Sequence, residues 1–177
     1  LAAEYAKQAP PLATGVRYIT QDHLGSTRLV TGSGGTILGR HDYFPWGEDV
    51  PATLNGRAAL YDLTADTVRH RFTGKERDGE SGLDYFEARY DSAAIGRFSG
   101  ADPDGAGARS DDPQRWHGYA YVRNNPLKYV DPDGRVERTP VEARQMARDR
   151  DAREAAGEIA SADPLGDVLA VTMFTLA

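Results

Sequence analysis

The sequence predicts a mainly β fold of short antiparallel hairpins, followed by an α-helical segment at the C-terminal end. Short runs of β-branched and aromatic residues alternate with turns rich in Gly, Asp and Pro over residues 16–136. Segments 90–98 and 129–136 share one pattern, in which a Tyr and an Asp are followed by Gly-Arg and an apolar residue. In both places we expect the Asp to accept backbone N–H bonds at a turn. From Thr139 onward, Ala, Arg and Glu replace the strand pattern.

Composition narrows the class of protein. A length of 177 residues suits one domain that buries a core, and the absence of Cys excludes a disulfide framework or a Cys-ligated metal. A formal net charge of -6 argues against the basic surface that nucleic-acid binding usually needs. Residues 1–15 have no signal-peptide pattern and are predicted to be a leader or linker, so we expect a segment of a longer protein.

The first predicted elements are strands at 16–20 and 27–31. Asp22 and Gly25 between them have the spacing of a type I turn. A Gly-rich loop then returns the chain, which makes 27–44 the clearest hairpin in the sequence.

A further strand is predicted at 83–90. Phe86, Ala88 and Tyr90 fall on one face, and the residues between them fall on the other, so Arg89 is placed opposite Phe86. This period of two is typical of a half-buried strand. Residues 67–73 also have strand character.

The helical segment begins with a clear signal. Thr139, Pro140 and Glu142 form a capping box with Pro at the first helical position, and about five helical turns are predicted to follow. The apolar stripe is thin, so we expect a solvated spacer. Asp163-Pro164 predicts a second helix, whose ten final uncharged residues are too few to span a bilayer. Residues 137–177 are therefore predicted to be a helical spacer and the start of a truncated C-terminal region.

Four sequence blocks resemble the RHS repeat-associated core domain of YD-repeat (Rhs) proteins, a family found in bacterial polymorphic toxins and in the C component of insecticidal toxin complexes. The blocks follow the family's order and cover about 16–135: YITQDHLGSTRLVT (18–31), HDYFPWGE (41–48), the segment 71–103, and GYAYVRNNPLKYVDPDG (118–134).

The resemblance implies that residues 16–136 are the plug of a YD-repeat β-shell that encapsulates a toxin. The implied partners are the upstream YD repeats of the same polypeptide, a downstream C-terminal toxin cargo and a secretion apparatus. No nucleic acid is expected, and membrane contact is left open. The full-length protein is expected to be secreted or on the cell surface.

The resemblance also implies self-cleavage. Asp102 and Asp131 match the family's two Asp positions, which act as an aspartic-protease-like pair in which one carboxyl stays protonated while the other activates water. The cut is expected near Arg135-Val136, and Arg97 is predicted to orient or polarise the site. The chain departs from the family in having Arg135 where cleaved members usually have an apolar residue.

Two other interpretations stay open. An Asp that opens an Asp-Pro-x-Gly turn can bind backbone N–H groups without any catalysis. The chain is alternatively a cell-surface adhesion or carbohydrate-binding module without proteolysis, although core packing also accounts for its aromatic residues. No cofactor or metal is predicted, because the His residues lack paired ligand spacing and Pro113 stands where a calcium loop from Asp102 needs Glu.

Overall fold

Seven short strands form two antiparallel sheets in the computed structural model, which describes residues 16–57, 68–103 and 112–157. The first sheet contains β1 (Arg17–Gln21), β2 (Thr27–Gly32) and β3 (Ile37–Arg40). The second contains β4 (Glu76–Arg77), β5 (Asp84–Tyr85), β6 (Tyr90–Ser92) and β7 (Arg97–Phe98). Helix α1 (Pro140–Ala155) follows them. The predicted fold class, antiparallel hairpins followed by a helical segment, is confirmed.

Local turns build the first sheet. The Gly25 N–H donates to the Asp22 carbonyl at 3.0 Å, and the Asp22 carboxylate accepts two further backbone amides at 3.0 Å each. This turn brings Ile19 of β1 opposite Val30 of β2, and both side chains are buried in a small apolar core. The two predicted strands and the hairpin that follows them are confirmed.

The larger core is aromatic and lies against the second sheet. Its buried members are Phe72, Phe86, Phe98, Tyr121 and Val122. The rings of Phe86 and Phe98 meet edge to face with centroids 5.5 Å apart, and the Tyr121 ring lies at 5.5 and 5.6 Å from these two. Such pairs contribute about 0.5–1.5 kcal/mol each beyond the buried area. This core supports the segments that carry the candidate site.

The prediction of one strand over 83–90 is wrong, because the chain reverses within it. β5 and β6 are joined by a tight turn in which Glu87 has φ +62 and the Phe86 N–H donates to the Arg89 carbonyl at 2.8 Å. The turn breaks the alternation of side chains. Phe86 and Arg89 are both buried, whereas Tyr90 is 43% exposed.

The strand predicted at 67–73 is also wrong in its described part, residues 68–73. His70 makes a single bridge with Glu76, and the chain then turns at Phe72–Gly74, where Thr73 has φ +48. The turn places Phe72 in the aromatic core. Tertiary burial of one large ring has overridden the local strand propensity.

The prediction that Asp91 binds backbone N–H groups is wrong as well. Asp91 lies in β6 opposite Phe98, and it is fully buried. Neither carboxylate oxygen accepts a hydrogen bond within the described ranges. Burial, and after it the charge of Asp84, raise the pKa of Asp91 to about 7, although Arg77 and Arg89 oppose the rise. Asp91 therefore holds its proton in mildly acidic solution.

We expect Asp91→Asn to stabilise the chain at alkaline pH. Because the pKa of Asp91 is higher in the folded state than its ordinary value of 3.8, the free energy of unfolding falls as pH rises between these two values. The neutral variant avoids burying an unpaired charge, so its free energy of unfolding near pH 8 should be higher by about 2 kcal/mol. Denaturant unfolding at several pH values measures this. A variant with the wild-type pH dependence would contradict the assignment, and the exposed Asp151→Asn is the matched control.

Helix α1 begins at the predicted capping box. The Glu142 N–H donates to Thr139 Oγ1 at 3.3 Å, and the Glu142 carboxylate accepts the Thr139 N–H at 2.8 Å. The helix has 16 residues, which is slightly shorter than the five turns predicted, and none of them is buried. Arg144 nevertheless donates to the His23 carbonyl at 3.0 Å, so the helix contacts the first hairpin.

The described helix is too short and too polar to cross a bilayer. The leader at 1–15 and the second helix predicted from Asp163 lie outside the described residues.

Candidate functional site

A buried arginine lies at the centre of the predicted site. Arg89 is only 7% exposed. Its Nη2 atom lies 3.4 Å from Asp131 Oδ2 and 3.8 Å from Asp102 Oδ2. One guanidinium therefore pairs with both of the carboxylates that the sequence singled out.

The other donors of Arg89 fix its orientation. Nε donates to the Gly134 carbonyl at 2.5 Å, and Nη1 donates to the Gly118 carbonyl at 3.0 Å. The guanidinium carbon also lies 3.7 Å from the centroid of the Phe98 ring, within the range of a cation–π interaction. Because all three nitrogens are engaged, the planar group has one favoured position.

Asp131 is positioned by its own turn. Its Oδ1 accepts the backbone N–H of Asp133 at 3.3 Å and that of Arg135 at 3.1 Å. Burial, and after it the charge of Asp133, raise the pKa of Asp131 to about 6, while Arg89 lowers it. A carboxyl with a pKa in this range can exchange a proton near neutral pH, as a general acid or base must.

Asp102 faces the same space from the other side. Its side chain is 11% exposed, and its backbone N–H donates to the Gly118 carbonyl at 2.8 Å. A cavity of about 30 Å³ is lined by Asp102, Asp131 and Arg89, among other residues. That volume is large enough for one water molecule with polar partners.

The chain just after the Asp-Pro-Asp-Gly turn is held on both sides. The Gly134 carbonyl accepts from Arg89, and the next amide, that of Arg135, donates to Asp131. The Val136 N–H donates to Asp133 Oδ1 at 3.5 Å. The predicted cleavage position at Arg135-Val136 thus lies one residue beyond a peptide group that contacts both Arg89 and Asp131.

Arg97, which was predicted to orient or polarise the site, contacts a histidine. It lies in β7, it is exposed, and its Nη1 is 3.3 Å from His117 Nε2. Arg89, by contrast, contacts both Asp102 and Asp131.

Sequence reasoning missed Arg89 because a regular strand would direct it away from Phe86. The tight turn between β5 and β6 places both side chains inside. The sequence did contain one signal for such a cation, because two carboxylates that come together in a buried site need a cation or a proton.

No group of three or more His, Asp or Glu side chains in 16–57, 68–103 and 112–157 is arranged to hold a metal ion. A guanidinium occupies the position between the two carboxylates instead.

Parts of several known proteins are similar to this chain. No protein-family model matches the chain. It is 34% identical over 120 residues to salivary gland surface protein 1 of Aedes aegypti, covering 68% of this chain and 3% of that protein. It is 36% identical over 110 residues to the tRNA3(Ser)-specific nuclease WapA of Bacillus spizizenii, covering 62% of this chain and 4% of that protein. Over 110 residues it is also 36% identical to toxin subunit YenC2 of Yersinia entomophaga, covering 62% and 10%.

A solved structure supports the same relationship. The crystal structure of TcdB2-TccC3 matches with a TM-score of 0.51 and 34% identity, over 67% of this chain and 5% of that one. The chain is thus related to a mainly β region that occurs in toxin proteins. It spans only 3–4% of the length of the first relatives named above.

Proposed function

We propose that this chain is the terminal part of an Rhs (YD-repeat) β-shell, in which residues 16–136 form the RHS repeat-associated core and cut their own chain after the Asp-Pro-Asp-Gly turn. The observation that carries this proposal is the buried guanidinium of Arg89, which contacts Asp102, Asp131 and the Gly134 carbonyl together. The similarity to segments of a WapA nuclease and of toxin subunit YenC2 supports a role beside a toxin.

In this proposal the core plugs a shell that encloses a C-terminal toxin cargo. The upstream YD repeats of the same polypeptide cover the exposed strand edges and aromatic rings, which include the Tyr85 and Tyr90 pair with centroids 5.1 Å apart. A secretion apparatus delivers the assembly, and the full-length protein acts outside the cell or at its surface.

The chemistry of the site supports self-cleavage. A water in the small cavity attacks the carbonyl carbon of the scissile peptide, and Asp102 as carboxylate accepts a proton from it. Arg89, which binds the Gly134 carbonyl one residue before the predicted cut, stabilises the negative charge that develops on the oxygen of the scissile carbonyl. Asp131, whose pKa is raised to about 6, donates a proton from its protonated form to the leaving nitrogen. The products are a new C-terminal carboxylate and a new N-terminal amine, and the transferred protons balance.

We expect Asp131→Asn to abolish cleavage in the full-length polypeptide that carries this chain. Asn cannot donate a carboxyl proton, so the rate should fall at least about 100-fold. Gel electrophoresis and intact-mass measurement of the purified protein follow the cut, and Asp102→Asn should have the same effect. Asp151→Asn, which changes an exposed carboxylate on α1, is the matched control.

The outcomes separate the two parts of the proposal. A wild-type chain that stays full length under native conditions would refute the protease and leave the shell role standing. Cleavage at the wild-type rate in both Asp variants would refute the assignment of this site.

A surface adhesion or carbohydrate-binding module is the second candidate. The similarity to a protein named as a surface protein favours it, together with the exposed aromatic rings of Trp116 and Tyr119. Glycan binding by an uncleaved full-length protein, lost in Trp116→Ala, would support this alternative.

A further inference from the structure

The side chain of Glu137, just beyond the predicted cut, is held by two arginines from a distant segment. It is 10% exposed, and its Oε1 forms an ion pair with Arg115 Nη2 and lies 3.8 Å from Arg123 Nη1. Asp112 joins the two arginines, with its Oδ2 at 3.5 Å from Arg115 Nε and 3.1 Å from Arg123 Nη2. Three charged groups, Arg115, Arg123 and Asp112, therefore fix the side chain of Glu137.

The backbone next to Glu137 is fixed as well. Val130 and Arg138 exchange two hydrogen bonds, of 2.9 and 2.7 Å, so the downstream chain pairs with the segment that leads into Asp131. On the upstream side, Arg89 holds the Gly134 carbonyl. The predicted cleavage position thus lies between two anchors, one on each side.

Arg123 occupies an unusual backbone conformation. Val122, Arg123 and Asn124 have φ of +40, +57 and +56, and none of them is glycine. Consecutive residues in the left-handed region are strained, and such strain persists only where the surroundings impose it. The Arg123 guanidinium lies 5.5 Å from the centroid of the Tyr129 ring, which helps to hold it towards Glu137.

We propose that Arg115, Arg123 and Glu137 form a register clamp, a set of positioning residues that determines which peptide bond lies against Asp102 and Asp131. This inference rests on the proposed self-cleavage. A slip of the chain by one residue would bring Val136 or Arg138 to the two arginines. Val136 would take the Glu137 carboxylate away from both cations, and Arg138 would repel them. The cavity that is lined by Asp102 and Asp131 is also lined by Arg115, Arg123 and Glu137, so the clamp adjoins the reacting groups.

The test compares Glu137→Gln with Asp151→Asn in the full-length polypeptide, since each removes one negative charge downstream of the cut. We expect Glu137→Gln to slow cleavage about 10-fold and to spread the new N-terminus over neighbouring bonds, as read by mass spectrometry of the released fragment. Asp151→Asn should cut at the wild-type rate and position. Glu137→Asp keeps a carboxylate that can pair with Arg115 and Arg123, so it should retain a single cut position.

Each result bears on one proposal. Wild-type rate and a single wild-type cut position in Glu137→Gln would overturn the clamp while leaving self-cleavage intact. If the wild-type chain does not cut, self-cleavage fails, and hydrogen exchange of the Arg138 amide tests the clamp by itself. Faster exchange in Glu137→Gln than in Asp151→Asn supports the clamp, and equal exchange overturns it.

Discussion

Replacing Gly134 with Ala should disrupt the site and abolish self-cleavage. Gly134 has φ +71, and a Cβ at this position would overlap the Phe86 carbonyl oxygen and lie 3.2 Å from the Arg89 backbone nitrogen. Both neighbours are backbone atoms of the turn that carries Arg89, so relief requires moving that turn. We expect the free energy of unfolding to fall by about 4 kcal/mol, as measured by denaturant unfolding.

Gly82→Ala distinguishes the effect of this steric overlap from the effect of a positive φ alone. Gly82 has the same φ of +71, but no atom lies within 4 Å of the position of its added Cβ. The free energy of unfolding of this control should fall only by the conformational cost of an L residue in the left-handed region, about 1 kcal/mol. Equal losses in the two variants would show that the close approach of Gly134 to Phe86 and Arg89 has no energetic role.

Arg89→Lys should have the second largest effect, although it preserves the charge. A lysine amine is a single donor centre and cannot contact the Gly134 and Gly118 carbonyls and both carboxylates at once. Buried acceptors would lose their partners, and we expect a loss of about 3 kcal/mol in the free energy of unfolding. The cleavage rate should fall at least about 100-fold, because the carbonyl oxygen loses its stabilising donor.

The matched control for this substitution is Arg97→Lys. Arg97 is exposed and contacts His117, so the change should alter the free energy of unfolding by less than about 0.5 kcal/mol and leave cleavage intact. If Arg97→Lys stopped cleavage while Arg89→Lys did not, the role inferred for Arg97 from the sequence would stand and the one inferred for Arg89 would fall.

Features that depend on a few neighbouring residues could be predicted. The turn at Asp22 and Gly25 forms through hydrogen bonds within five residues, and the capping box at Thr139 and Glu142 through bonds across three. Their residue types select these conformations in almost any context. The first hairpin and the start of α1 were therefore predictable, and so was the turn geometry of Asp131.

Features that depend on distant contacts could not be predicted. The turn at Glu87 contains no glycine, and it is supported from outside by the Ala88 N–H, which donates to the Asp133 carbonyl at 3.2 Å. The alternation of apolar and polar residues across 83–90 looked like a strand because nothing local shows this support. The burial of Asp91 without hydrogen bonds is similarly a result of where β6 packs.

The sequence by itself determined the class of fold and the turns at Asp22 and Asp131, and its family resemblance implied the two carboxylates of the candidate site. Only the tertiary structure decided which arginine joins those carboxylates. Arg89 reaches Gly118, Asp131 and Gly134, which lie 29, 42 and 45 residues along the chain from it. Turn preferences act over a few residues, whereas the burial of a charged side chain depends on partners that only the folded chain brings together.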